Sequence, residues 1–494
     1  MSQALPYLLF ILFLGLGVYL LYRMAHNKWG QHAWTLPALF LFKVSVSLGI
    51  LHYYETRYDH LQFSDIHKYF FDGIALKNIA INDPGVYFQL ILNQPSESRE
   101  YQQALATLKN WSPHTSEYLS TMQLKDSNLF GSQKTLILLN SWIAFFSADF
   151  IAIHLLFFCF IGVLGLWWLA NWFEWNPDGK GKLRFLLWGL LPSALIWTSG
   201  PTKETVIIFC LGSLLWILQL RHKQIRHFIG LTMLASLLLF TSYHTFLILS
   251  IVLFFYWSIQ KGLRFFLLSI FILGTTGAVI PLITEAPAEF ISSKFNQQNK
   301  IGRGGFYFEN RVSKALLFMD EDQFEMLHLK PKSKAEHRIY WLPQSLQLLA
   351  YQNGKISNDS ILLERGDWYY LKLHYEPAKT YLPSPHLQPN YASIFGFLPR
   401  GMINQIPFSA AHYQMAVLPF TFEFFGLIAL LMAWIFQRRK FPIPQLIVVC
   451  IFGILLWVLV ALTSPIIGNS VRYLAPAMIL ATGLLLSGKT QKNS

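Results

Sequence analysis

Charged residues are scarce in this sequence, and cysteines are scarcer. Asp, Glu, Lys and Arg make up only 13% of the 494 residues, whereas a soluble domain normally carries roughly a quarter. This deficit indicates that many helices face lipid rather than water. The three cysteines, Cys159, Cys210 and Cys450, all lie inside apolar stretches. We therefore expect no disulfide and no thiolate metal site.

Signals of targeting, repetition and familiar catalysis are also missing. The first apolar stretch has no positive region before it and no small-residue cleavage site after it, which favours a retained helix over a cleaved signal peptide. No internal repeat is evident. The nucleophile-elbow, zinc-protease, Walker and dinucleotide-binding fingerprints are absent from any supporting context. Any chemistry must therefore rest on other constellations.

Hydrophobic residues are correspondingly abundant: they make up 53% of the chain, and aromatic residues make up 16%. Apolar runs predict an all-α integral membrane protein with about eleven transmembrane helices. The runs fall near 5–22, 34–53, 150–172, 184–199, 203–220, 228–244, 246–260, 264–283, 415–436, 445–463 and 472–487.

Basic residues are distributed unevenly between these runs. Every odd-numbered predicted helix is followed by a basic loop, as at 180–184, 221–226 and 438–440. The positive-inside rule then predicts a multi-pass protein of the inner (cytoplasmic) membrane, with the N-terminus outside and the C-terminus in the cytoplasm. The net charge of +13 is thereby explained by membrane orientation, and we expect membrane lipids rather than nucleic acid as partners.

The same pattern divides the chain into alternating membrane and extracytoplasmic parts. We interpret residues 133–148 as a helix at the outer interface that leads into one true span, and we expect two large ordered loops outside. The predicted units are two N-terminal spans (1–53), a first extracytoplasmic loop (54–133), an interfacial helix with about six spans (134–284), a second extracytoplasmic loop (285–412) and three C-terminal spans (413–494).

The first polar constellation opens the first loop, in the segment HYYETRYDHLQFSDIHKYFFDG. Asp65 and Tyr69 would share one short helix, which Ser64 would cap. At the membrane surface, Asp65 would act as a general base or would orient an acceptor hydroxyl. The alternative is that Asp65 and the other carboxylates of this segment cap a helix or pair with Arg57 and Lys68 in a solvated loop.

The second constellation is LLPSALIWTSGPTKETVIIF. With Pro201 at the first helical position, Lys203 and Glu204 would lie in the first turn of a helix at the outer membrane face. The helix N-terminus and the Lys203 ammonium would together favour a lipid-linked phosphate or diphosphate. The alternative is that Lys203 reaches lipid headgroups while Glu204 caps the helix.

The third constellation is SPIIGNSVRYLAPAMIL, at the outer start of the last span. Arg472, with Tyr473 beside it, would bind phosphate oxygens through its guanidinium; the alternative is again a headgroup anchor. Weaker signals are Arg303 in a Gly-rich turn that would contact phosphate, His244 near the outer side, and Glu423, which we expect to face the bundle interior.

These motifs resemble those of the GT-C superfamily of membrane glycosyltransferases. FSDIHKYFFDG is similar to the D-x-x-x-Y element of that superfamily, with Asp65 and Tyr69 in the matching places, followed by a many-helix bundle and a second large outer loop. The resemblance implies transfer of a sugar from a polyprenyl phosphate-linked donor to a glycan, lipid or protein acceptor. Asp65 would be catalytic, while Lys203 and Arg472 would hold the donor phosphate.

Other functions remain open at the level of the sequence. A polysaccharide polymerase or ligase that uses lipid diphosphate-linked glycans would need the same basic residues. A lipid or glycan transporter would show inverted repeats and helices broken near the midplane, and a non-catalytic assembly subunit would use the loops for docking. We identify no metal ligands or firm cofactor, although the assistance of a divalent cation is left open.

Overall fold

The structure is a computed structural model. It describes residues 4–57, 65–92, 94, 96, 98–108, 111, 132–175, 179–220, 224–262, 286–303, 305–310, 316–319, 330–331, 339–341, 346–352, 355–363, 368–375, 380–407, 409–414, 417–436 and 443–487.

Helices dominate the described part of the chain. They are α1 (Leu5–Trp29), α2 (Thr35–Arg57), α3 (Asp65–Asn82), α4 (Pro84–Ile91), α5 (Arg99–Thr107), α6 (Ser132–Ala144), α7 (Ile151–Trp172), α8 (Gly179–Gly189), α9 (Pro192–Ile196), α10 (Lys203–Gln219), α11 (Ile225–Thr241), α12 (Tyr243–Lys261), α13 (Ala286–Arg303), α14 (Tyr391–Asn404), α15 (Leu418–Phe436), α16 (Ile443–Thr463) and α17 (Ile467–Ser487).

Among the described residues, six helices are long and apolar enough to cross a membrane, so the chain is a helical multi-pass membrane protein. They comprise Leu5–Trp29, Thr35–Thr56, Ile151–Trp172, Leu418–Ile435, Gln445–Thr463 and Ile467–Ser487, with shorter apolar helices at Ile225–Thr241 and Tyr243–Ile259. The coarse prediction is thus confirmed, whereas the count of eleven spans and the orientation stay predictions. The predicted span 264–283 lies outside the described residues.

One predicted span departs from a single helix. The run 184–199 is divided between α8, which ends at Gly189, and the five-residue helix α9. Pro192 stands at the start of α9, after Leu191 in an extended conformation. Proline disfavours helical geometry in the residue before it and lacks the N–H that would continue the ladder. Hydropathy alone does not reveal this break, because most of the residues around it are apolar.

Glycines allow α7 and α10 to pack closely and in parallel. A Cβ on Gly165 would lie 2.7 Å from the backbone N of Phe209, and a Cβ on Gly162 would collide with the carbonyl oxygen of Thr198. Close approach of small residues is the usual basis of helix association in membranes. Trp168 stacks on Trp216 farther along the same pair.

The first predicted loop is helical where it is described. Helix α3 runs for 18 residues from Asp65, longer than the short helix expected, and α5 begins behind a Ser98 cap whose hydroxyl accepts from the N–H of Tyr101 at 3.2 Å. The segment 133–148 contains α6, which is separate from α7, while its position at the outer interface stays a prediction. A turn with positive φ at Ala148 and Asp149 divides the two helices.

The second predicted loop contains helices and, unexpectedly, a β-sheet. Seven antiparallel strands pair in the order β3-β4-β7-β1-β2-β5-β6. They are β1 (Gly305–Asn310), β2 (Leu316–Met319), β3 (Lys330–Pro331), β4 (Ile339–Trp341), β5 (Leu346–Gln352), β6 (Lys355–Leu363) and β7 (Trp368–Tyr375). The helical membrane part therefore agrees with the predicted fold class, while the sheet lies beyond an all-α description. Tyr, Trp, Phe and Ile are frequent in these strands and fit a pleated surface. In the sequence, this aromatic content indicates only that the second loop is ordered.

Candidate functional site

The connection between α9 and α10 is a turn tightly held by its own hydroxyls. Thr202 caps α10: its Oγ1 accepts from the N–H of Thr205 at 3.3 Å and donates to the carbonyl oxygen of Trp197 at 2.7 Å. Thr205 Oγ1 in turn donates to the carbonyl oxygen of Gly200 at 2.8 Å. Lys203 is thus the first residue of α10, and Pro201 precedes the cap instead of starting the helix as predicted.

This turn, residues 197–202, lies deep in the helical bundle. Thr198 meets Gly162, which is the twelfth of the 22 residues of α7. At 1.5 Å per residue, Gly162 lies about 16 Å along the helix axis from Ile151, the first residue of α7. Within the bundle the turn is therefore level with the middle of α7, while the placement of Lys203 at the outer membrane face stays a prediction.

Charged side chains converge from two helices on the turn. Arg472 Nε of α17 donates to Glu204 Oε1 at 2.9 Å, and the guanidinium lies over the Trp197 ring, 5.6 Å from its centroid. The Lys203 ammonium lies 4.6 Å from the centroid of the Tyr473 ring. Four residues selected from two distant parts of the sequence, Lys203, Glu204, Arg472 and Tyr473, are therefore neighbours in space.

Helix α13 adds a third cation that the sequence reasoning missed. Lys294 lies within electrostatic range of Lys203; burial, and after it the charge of Lys203, lowers the pKa of Lys294. Phe290, one turn earlier, approaches His244 with ring centroids 6.0 Å apart, and Gln298, one turn later, accepts from Asn469 Nδ2 at 3.0 Å. The i, i+4 spacing of these α13 residues was the available signal, but no helix had been predicted there.

Three cations and one carboxylate leave this cluster with a positive excess. Glu204 is 1% exposed and pairs with Arg472, whereas Lys203 and Lys294 raise each other's electrostatic cost. An arrangement of this kind binds an anion well, because the anion removes the repulsion and meets the positive end of α10. We call Lys203, Glu204, Lys294 and Arg472 the cationic cluster.

Two buried charged side chains contact the short helix α9 and the residues that follow it, behind the cluster. Lys43 of α2 donates to the carbonyl oxygen of Ala194 and, at 2.6 Å, to Thr198 Oγ1. Glu423 of α15 accepts from the Ser193 N–H at 2.8 Å and from the Ser193 hydroxyl. Glu423 is buried, so it faces the bundle interior as predicted. Lys43 was not singled out because it lies in an otherwise ordinary apolar run.

Asp65, the predicted catalytic residue, is the first residue of α3, and its side chain lies outside the described part of the chain. Its neighbour Ile66 packs with Leu51 of α2 and Leu155 of α7. One turn from Leu51 along α2, Ser47 Oγ lies 3.8 Å from the position that a Cβ on Gly200 would take. The start of α3 and the 197–202 turn therefore both pack near the stretch of α2 between Ser47 and Leu51.

The remaining predicted contacts are less directly placed. Tyr69 is only 4% exposed and lies in the main hydrophobic core. Its predicted role in binding substrate stays a prediction. Arg303 ends α13, five residues after Gln298 or about 7.5 Å along the axis, and not in a free Gly-rich turn. The side chain of Arg303 lies outside the described residues.

A Ser–His–Asn chain at the α6–α7 connection has the connectivity of a hydrolytic triad. His154 Nε2 lies 2.9 Å from Ser147 Oγ, and His154 Nδ1 lies 2.8 Å from Asn140 Oδ1. All three side chains are fully buried, and Asn140 also donates to the carbonyl oxygen of Leu136. Because every polar atom of this contact has a partner within the chain, these three side chains join α6 to α7. Within the described residues no group of three or more His, Cys, Asp or Glu side chains is placed to hold a metal ion.

No protein-family model, curated protein or solved structure matches this chain. The fold and its apolar helices define a helical multi-pass membrane protein, and the cationic cluster is its candidate functional site.

Proposed function

We propose that this chain is a membrane glycosyltransferase of the GT-C type, which moves a sugar from a polyprenyl phosphate-linked donor to an acceptor on the extracytoplasmic side of the inner membrane. One observation carries the proposal: at the N-terminus of α10, Arg472 pairs with the buried Glu204, while Lys203 lies within electrostatic range of a further cation, Lys294. A lipid-linked phosphate would compensate this excess charge, and a polyprenyl chain would lie among the apolar helices.

The proposed reaction needs charge stabilisation more than it needs a cofactor. The bond between the anomeric carbon and the donor phosphate oxygen breaks, and a bond from that carbon to the acceptor oxygen forms. Lys203, Lys294 and Arg472 would stabilise the negative charge that builds on the departing phosphate. Asp65 would take the acceptor proton. The packing of Ile66, the neighbour of Asp65, near the stretch of α2 that also contacts the 197–202 turn supports this division of roles.

Substitution of the proposed base tests the reaction. In liposomes that contain a polyprenyl phosphate-linked hexose and a panel of glycan, lipid and peptide acceptors, Asp65→Asn should abolish transfer and leave polyprenyl phosphate binding unchanged, because the phosphate seat is separate. Asp149→Asn, which removes an exposed ion pair with Lys77 (2.6 Å), is the control. Full turnover by the Asp65→Asn variant would remove Asp65 from the mechanism. Failure of the wild type to bind polyprenyl phosphate would refute the whole proposal.

A transporter or flippase is the second candidate, and the broken α8–α9 segment favours it. Discontinuous helices with buried charges are typical of secondary transporters, and Lys43 and Glu423 are buried beside the short helix α9. A fluorescent polyprenyl phosphate in the same liposomes separates the two functions. Movement of the lipid between leaflets without sugar transfer would select the transporter, whereas transfer of a whole glycan would select a polymerase or ligase.

A further inference from the structure

Two polar atoms at the 197–202 turn are buried and lack partners among the described residues. Glu204 uses Oε1 for Arg472, but nothing described donates to Glu204 Oε2. The indole Nε1–H of Trp197, beneath the Arg472 guanidinium, likewise has no acceptor there. One atom is an acceptor and the other a donor, and both belong to residues that Arg472 touches.

Leaving such atoms unpaired is costly, so their coincidence at one turn points to a ligand. A buried unsatisfied polar atom costs about 1–3 kcal/mol, and more when the group is charged. Elsewhere in this turn every hydroxyl is used: Thr198, Ser199, Thr202 and Thr205 all donate to carbonyl oxygens. Local crowding therefore does not prevent hydrogen bonding here. The two open atoms are exceptions in an otherwise saturated turn.

The chemistry of the two atoms specifies what they would bind. A phosphate would satisfy the Trp197 donor but would be repelled by a carboxylate oxygen. A hydroxyl group satisfies both, since it donates to Glu204 Oε2 and accepts from Trp197 Nε1. The cations Lys203 and Lys294 provide for an anionic group beside it. A ligand with a hydroxyl close to a phosphate, as in a sugar phosphate, uses all of these groups.

We propose that Glu204 and Trp197 bind the sugar of the lipid-linked donor, with Glu204 Oε2 accepting from a sugar hydroxyl and Trp197 Nε1 donating to the same or an adjacent sugar oxygen. This inference rests on the proposed function, because it uses the cationic cluster as the phosphate seat. It makes Glu204 a binding residue with two tasks. One carboxylate oxygen fixes Arg472, and the other selects glycosylated lipid over bare polyprenyl phosphate.

The competing explanation is that Glu204 merely neutralises Arg472. Glu204→Gln separates the two, because glutamine keeps one oxygen for Arg472 and places an N–H₂ donor where Oε2 stood. Trp197→Phe keeps the ring beneath Arg472 and against Phe420 (ring centroids 5.7 Å apart) and removes only the N–H. Trp29→Phe is the matched control. Its Nε1 is also without a partner in the described structure, but it packs on Trp167 and Phe185.

The test measures the binding of two lipids by the full chain in nanodiscs: polyprenyl phosphate, and the same lipid linked to a hexose, over a panel of hexoses. We expect the wild type to prefer a hexose-linked lipid. Glu204→Gln and Trp197→Phe should each weaken that lipid by about tenfold or more, with bare polyprenyl phosphate unaffected by Trp197→Phe and Trp29→Phe.

Other outcomes are equally decisive. Equal weakening of both lipids by Glu204→Gln, with no effect of Trp197→Phe, would assign Glu204 to Arg472 alone and would overturn the inference while the proposed function stands. Equal affinity of the wild type for the two lipids would also overturn it. Binding of neither lipid by the wild type would instead refute the proposed function. Should Glu204→Gln fail to fold, the Trp197→Phe result decides by itself.

Discussion

The close packing of α7 on α10 predicts that adding a single Cβ atom at this interface lowers the stability of the protein. Gly165→Ala would place a Cβ 2.7 Å from the backbone N of Phe209 and 2.8 Å from the carbonyl carbon of Ile208. Both neighbours are backbone atoms of a helix and cannot rotate aside. Since comfortable contacts of this kind need about 3.4–4.0 Å, the two helices would have to move apart by several tenths of an ångström.

The expected magnitude has two parts of opposite sign. Overpacking of a well-packed interface costs about 1–3 kcal/mol, whereas replacement of a helical Gly by Ala gains about 1 kcal/mol of helix propensity. Gly453→Ala supplies the second part alone, because a Cβ on Gly453 of α16 would meet nothing within 4 Å. The difference between the two variants therefore isolates the overpacking, and we expect Gly165→Ala to be less stable than Gly453→Ala by about 1–3 kcal/mol.

Equilibrium unfolding in mixed micelles, by titration with a denaturing detergent, measures this difference. The same displacement should reach function, because α10 carries Lys203 and Glu204 at its first turn. Polyprenyl phosphate should thus bind Gly165→Ala more weakly than Gly453→Ala. Equal stability of the two variants, within about 0.5 kcal/mol, would mean that α7 and α10 do not approach as described, and the depth assigned to the turn would be wrong with it.

Three further predictions concern the charged groups. Arg472→Lys should weaken polyprenyl phosphate binding about tenfold, because a lysine ammonium lacks the planar, multiple N–H donors with which a guanidinium can bind Glu204 and a phosphate together. Isothermal titration calorimetry measures this affinity, and an unchanged value would contradict the prediction. The pKa of Lys294 is lowered by burial and then by Lys203, and the ammonium binds phosphate only below that pKa. Affinity should therefore fall as pH rises through the lowered pKa, and Lys294→Met should flatten this part of the pH profile; a profile equal to that of the wild type would refute the assignment. Lys43 is fully buried among neutral oxygens, so Lys43→Met, which removes a desolvated charge at similar volume, should unfold no more easily than the wild type, whereas Lys43→Ala should lose about 2–3 kcal/mol through its cavity. Denaturing-detergent titration of both variants checks this, and a large loss in Lys43→Met would show that the ammonium itself holds α9.

The cationic cluster was partly accessible to sequence reasoning. Lys203 and Glu204 stood out because ionisable residues are rare beside apolar runs, and Arg472 stood out for the same reason. Their direct contact through Glu204 Oε1 and Arg472 Nε was not predictable, because 268 residues separate the two. Lys294 was not identified as a site residue from the sequence, because it lies in a polar segment where a further lysine is not unusual.

The break at α9 and the depth of the 197–202 turn mark where reasoning from hydropathy stops. A hydropathy window sums residue types and ignores the main-chain geometry that Pro192 imposes. It also cannot place an apolar helix along the bilayer normal. The level of the 197–202 turn against α7 follows instead from the contacts of Gly162 and Gly165 with the backbone of the neighbouring segments.

The sequence by itself indicated a helical multi-pass membrane protein, because long apolar runs with little charge suit lipid, and a helix satisfies all backbone hydrogen bonds within its own segment. It also determined which charged residues are unusual. The tertiary structure decided which of them meet, how deep they lie and which of their atoms remain unpaired. Those properties depend on helix packing between segments far apart in the chain, and composition and local pattern carry no record of such contacts.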